Sequence, residues 1–90
     1  MKARGPLMTA VRGVREQLES LGPPIVFRKL HGILNALEMQ VDDGDYQRQA
    51  VARLCEALLA TAALYDIPED KAGRLEELTL GVIEQAERRG

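Results

Sequence analysis

Apolar residues recur along this 90-residue chain at steps of three and four, and no stretch shows alternation at every second position. That is the period of α-helices rather than of half-buried strands. The first such stretch follows Pro6, which suits an opening helical turn because its missing N–H has no partner there. From Leu7 the steps to Val11, Val14, Leu18 and Leu21 are 4, 3, 4 and 3, a narrow heptad-like seam with Arg12, Arg15, Glu16 and Glu19 on the other faces. Helix one is therefore predicted from Pro6 to about Leu21, with Gly22 as its C-terminal cap.

Gly22-Pro23-Pro24 is the strongest punctuation in the chain. Helix two follows, from about Pro24 to Val41, with Phe27, Leu30, Leu34, Leu37 and Val41 in one line. Ile25, Val26 and Ile33 widen that band, which predicts contact with more than one neighbour. Asp42-Asp43-Gly44-Asp45 reads as a turn, with Asp45 as N-cap of helix three.

Helix three, from about Tyr46 to Tyr65, holds the most apolar stretch. Between Ala50 and Tyr65 only Arg53 and Glu56 are ionisable polar positions, and Val51, Leu54, Cys55, Leu58, Leu59, Ala62 and Tyr65 span more than half the circumference. Such a helix calls for neighbours on several sides, so it is expected at the centre of the fold. Asp66-Ile67-Pro68-Glu69 then has the spacing of a capping box. Helix four runs from about Pro68 to Arg88, with Leu75, Leu78, Val82 and Ala86 in line and Leu80 and Ile83 beside them. Its acidic start and basic end complement the helix dipole.

Four helices on short connections predict an all-α fold, either a small four-helix bundle or an orthogonal helical array, with helix three (about 46–65) central. Residues 1–5 read as a flexible basic tail and 6–90 as a single helical domain. Gly13, Gly32, Gly73 and Gly81 fall inside predicted helices, at a cost of about 0.8–1 kcal/mol each against Ala. They mark either close helix crossings, where a Cβ would clash, or breaks.

Composition narrows the function. Hydrophobic residues make up 46% and charged residues 29%, as in a folded soluble domain rather than a disordered chain. A chain of this size buries roughly 60–65% of its extended surface, so packing or a partner must supply stability. The net charge of −2 hides an asymmetry: residues 1–31 carry six bases and two acids, and residues 32–90 six bases and twelve acids. The single Cys55 has no disulfide partner, which points to a reducing compartment. No stretch approaches the ~20 apolar residues of a membrane span, and Met1–Val11 lacks the apolar run of a secretion signal. Cytoplasmic location is the expectation. Nine Arg against three Lys, with a single Asn, point to a GC-rich bacterial or phage gene.

Chemistry-bearing motifs are few. One His and one Cys on different helices cannot form the sets that zinc prefers. His31 sits beside Arg28 and Lys29 with no partner that would make it a base, so it reads as a surface or boundary histidine. Asp42-Asp43-Gly44-Asp45 fails as an EF-hand loop, because counting from Asp43 the sixth residue is Arg48 and the twelfth Leu54, where Gly and Glu are needed. Glu76 and Glu77 are adjacent on a helix and point apart, so they do not form an acid/base pair. A helix-turn-helix is conceivable around residues 58–80, with Ala62, Ile67, Ala72 and Leu75 as its apolar positions. Its recognition helix would present Glu69, Asp70, Glu76 and Glu77 against only Lys71 and Arg74, which repels phosphate.

The expectation is a non-enzymatic protein–protein interaction module: a small cytoplasmic adaptor, regulator or assembly subunit that forms a homodimer and binds a further protein partner. Leu7, Val11, Val14, Leu18 and Leu21 are the candidate self-interface; the same seam would otherwise close the bundle internally. The alternative is a nucleic-acid-binding regulator using Arg4, Arg12, Arg15, Arg28 and Lys29. No catalytic residue, metal site, cofactor, small-molecule substrate or membrane contact is expected.

Overall fold

The structure, a computed structural model, describes residues 5–21, 24–42 and 46–89. They form α1 (Gly5–Glu19), α2 (Pro24–Asp42), α3 (Arg48–Ala62) and α4 (Glu69–Arg89), with no strand among the described residues. Residues 1–4 of the expected tail, the Gly22 cap, and the turn and cap at residues 43–45 lie outside the described residues. Gly5 is already helical, so α1 begins one residue ahead of Pro6.

The four helices form a ring. α1 packs on α2 and α4, and α3 packs on α2 and α4, with no contact across either diagonal among the described residues. Neighbours run antiparallel. Met8, near the start of α1, shares a groove with Met39 and Asp42 at the end of α2. Gln17 and Ser20, at the end of α1, meet Lys71 at the start of α4. Tyr46, just ahead of α3, reaches the Ala86 carbonyl late in α4. The molecule measures 37 × 21 × 19 Å, and α4, at ~31 Å by its 1.5 Å rise per residue, fits only along the long axis. The fold is an up-and-down four-helix bundle rather than an orthogonal array.

Each helix supplies one buried line to a shared core. α1 gives Leu7, Val11, Val14 and Leu18, continued by Leu21; α2 gives Val26, Leu30, Leu34, Leu37 and Val41; α3 gives Val51, Cys55, Leu58 and Ala62; α4 gives Leu75, Thr79, Val82 and Ala86. Thr79 was not among the expected core positions. Its hydroxyl donates to the Leu75 carbonyl at 2.7 Å, which satisfies the one polar group it brings inside.

The structure corrects several expectations. Helix three is not central: it is one stave of four, touching only α2 and α4, and Leu54, Leu59 and Tyr65 of its expected band are only half-buried. Leu64, just past its end, is exposed. The capping box at Asp66 does not form, since α4 starts at Glu69 and its first turn closes from the Pro68 carbonyl to the Ala72 N–H at 2.8 Å. Ile25 faces outward, so the widened band of α2 is buried only at Val26 and, in part, Ile33.

The helical glycines neither break the helices nor serve close crossings. A Cβ at Gly32, Gly73 or Gly81 would meet nothing within 4 Å. At Gly13 it would rest 3.8 Å from Leu78 Cδ2, an ordinary contact.

Candidate interaction surface

The five seam residues of α1 and its extension are 0–4% exposed within a single chain. Their partners are α2 and α4 of the same molecule, so in this fold the seam closes the bundle. It offers no face to a second copy.

The basic candidates do not form one patch. Arg4 lies outside the described residues. Arg15 is engaged across the α1–α2 seam: Nε donates to Glu38 Oε2 at 2.8 Å, and Nη2 donates to Glu38 Oε1 at 2.7 Å and to Asn35 Oδ1 at 3.2 Å. This two-toothed pairing suits the planar guanidinium. It holds the Glu38 carboxyl below its ordinary range, chiefly through the hydrogen bonds from Arg15 and against the opposing effect of burial. The Arg15 pKa is raised by the same contact. The chain of contacts continues along α2. Asn35 Nδ2 lies 3.4 Å from His31 Nδ1, and the His31 ring sits 5.2 Å from that of Phe27. His31 is thus a half-buried member of an interhelical polar row.

Arg12 lines an open groove of about 410 Å³ with Met8, Asn35, Glu38, Met39 and Asp42. Those α2 residues average ten positions beyond Arg28 and Lys29, which separates Arg12 from that pair by ~15 Å along the helix. Phosphate-tracking cations would need to lie on one continuous surface.

The other sites of possible chemistry are closed. Cys55 is fully buried, and burial with the nearby Glu56 pushes its thiol up to about 12. A thiol so placed behaves as a small hydrophobe. Among the described residues, no group of three His, Cys, Asp or Glu side chains could hold a metal ion. Every described buried side-chain nitrogen or oxygen has a hydrogen-bond partner. Ala72, a core position in the helix-turn-helix reading, is exposed. An apolar cleft of about 320 Å³ lies at the α3–α4 corner, lined by Leu59, Ala62, Tyr65, Ile67 and Leu75 with Glu76 at its edge.

The surface that sequence reasoning missed is the outer face of α2. Ile25, Arg28, Lys29, Gly32, Ala36 and Met39 are all exposed and fall within about 100° of one another at 100° per residue. Ile25 keeps 51% and Met39 73% of its surface in water. The outside of a bundle helix is normally polar. The exposed face of α4 carries Glu69, Asp70, Glu76, Glu77, Glu84 and Glu87, with one large apolar residue, Leu80, 53% exposed among them. The sequence signal was present, since Ile25, Gly32, Ala36 and Met39 are themselves spaced by a helical period. Grouping Ile25 with the adjacent Val26 in the core band hides it.

No known protein family, characterised protein or solved structure matches the chain. No helix among the described residues is long and apolar enough to cross a membrane.

Proposed function

We propose that this chain is a non-enzymatic protein–protein interaction module, a small adaptor, regulator or assembly subunit that self-associates and works in the cytoplasm. The observation that carries the reading is the outward apolar face of α2, with Ile25 and Met39 in water on the side opposite the core. Exposed apolar side chains aligned on one rigid element are a contact surface more often than single scattered ones are. Its neighbours on that face, Gly32 and Ala36, are small and leave a second backbone room to approach. The buried, unpaired Cys55 suits a reducing compartment.

Light scattering on the purified chain across a concentration series tests self-association. The expected result is a mass that rises from one chain toward two as concentration increases. A one-chain mass throughout, up to millimolar protein, would overturn the reading.

A further inference from the structure

We infer that the outer groove between α3 and α4 is a docking site for a basic amphipathic helix of another protein. This goes beyond self-association through α2 and stands or falls without it.

The groove begins at the apolar cleft of about 320 Å³, where Leu59 and the C-cap Ala63 of α3 face Ala72 and Glu76 of α4. Its walls continue along both helices by their period. Glu69, Ala72, Glu76, Leu80 and Glu87 follow one another at steps of 3, 4, 4 and 7 on one flank of α4. Ala52, Glu56, Leu59 and Ala63 follow at steps of 4, 3 and 4 on one flank of α3. At the far end Ala52 and Glu87 meet again in a second depression, with Arg48 and Gln49, so the two flanks face each other along the seam. Leu80, 53% exposed, lies between the two ends, ~12 Å along the axis from Ala72.

These walls are acidic and not neutralised. Among the described residues, no base lies within ion-pair distance of Glu56, Glu69, Glu76 or Glu87. The bases near the cleft are turned elsewhere. Lys71 donates to the Ser20 carbonyl at 3.1 Å, on the α1 side, and Arg74 pairs with Glu77 at 3.1 Å. Arg53 is turned about 120° round α3 from Leu59. Arg48 is on the flank, but at the far end.

An apolar cleft with acidic walls selects its occupant by charge. The phosphates of nucleic acid and of an anionic lipid surface are repelled. A helix with two apolar side chains about eight residues apart, one for the cleft and one for Leu80, and with Lys or Arg along both edges answers every feature. From Glu69 to Glu87 the groove is ~27 Å long, which matches a helix of about 18 residues.

Two synthetic peptides of about 18 residues test this, each with a Leu face and with either Lys or Glu at all other positions. Each is titrated into the isotope-labelled full chain and followed by amide nitrogen–proton spectra. The Lys peptide should shift the amides of Leu59, Ala63, Ala72 and Leu80, and the Glu peptide none of them. A tenfold rise in salt should weaken the Lys peptide by about threefold or more. Ala72→Arg, at an exposed position, sets a cation in the mouth of the cleft and should weaken binding by about tenfold, as should Glu76→Lys. Glu16→Lys makes the same change in net charge on α1, diagonally across the ring from α3, and should leave binding within about twofold. Circular dichroism confirms that each variant keeps its helices. Equal weakening by Glu76→Lys and Glu16→Lys would reduce the binding to net charge and overturn the site. Unchanged binding by Ala72→Arg, equal binding of the Glu peptide, or no binding of the Lys peptide at millimolar concentration would overturn it too. Groove shifts on concentrating the chain alone would put a second copy there and overturn the assignment to a separate partner.

Discussion

Gly73 and Gly81 sit inside α4, eight residues apart, and a Cβ at either would find open space. If the four-stave ring is right, replacing each by Ala should stabilise the fold. Alanine narrows the unfolded ensemble and favours the helical backbone by about 0.5–1 kcal/mol per site. The two sites are ~12 Å apart on the helix axis and share no partner, so their effects should add to about 1–2 kcal/mol. For a domain of this size each kcal/mol moves Tm by about 4–8 °C, which gives a rise of about 4–16 °C for the pair. Urea unfolding followed by circular dichroism should show a higher midpoint with an unchanged slope, because the surface exposed on unfolding is the same. A fall in stability at either site would refute the reasoning, since it would reveal a close neighbour at that backbone.

Other outcomes follow from the same packing. Glu38→Gln should cost about 0.5–1 kcal/mol at neutral pH. Because Arg15 lowers the folded-state pKa of Glu38, its contribution is present above the ordinary carboxylate range and lost as pH falls through the folded value; the gap between the two proteins should therefore close in acid, as urea unfolding at pH 7 and pH 3 would show. The two faces of α2 should respond oppositely. Leu34→Ala removes a fully buried side chain and should cost about 2–5 kcal/mol, whereas Ile25→Ala should stay within about 0.5 kcal/mol in dilute monomer. Cys55, with its thiol pushed up to about 12, should react with a thiol reagent at pH 8 only as fast as the chain opens; prompt labelling of the native protein would place it at the surface.

The four helices were legible because their core lines repeat at three and four residues, and each boundary came within three residues of the observed one. The arrangement was less so. Helical period fixes which face is buried but not how many neighbours cover it, and in α3 the half-buried Leu54, Leu59 and Tyr65 make a single stave look fully wrapped. Thr79 escaped notice because a polar side chain enters a core unannounced when its hydroxyl bonds to the preceding turn. The Arg15–Glu38 clasp depends on the register of α1 against α2, which no single-helix pattern encodes. The α1 seam was recognised correctly as a contact surface, yet its pattern could not tell a helix of the same chain from one of another. Once α1 turns inward, the outer face of α2 is left with Ile25 and Met39 in water.

The most direct test of that displacement is a dilution series of amide nitrogen–proton correlation spectra of the unmutated chain. Concentration-dependent shifts are expected on α2, centred near Gly32 and Ala36, with the amides of Leu7, Val11, Val14 and Leu18 unmoved. Shifts centred on α1, or none from micromolar to millimolar protein, would contradict the account.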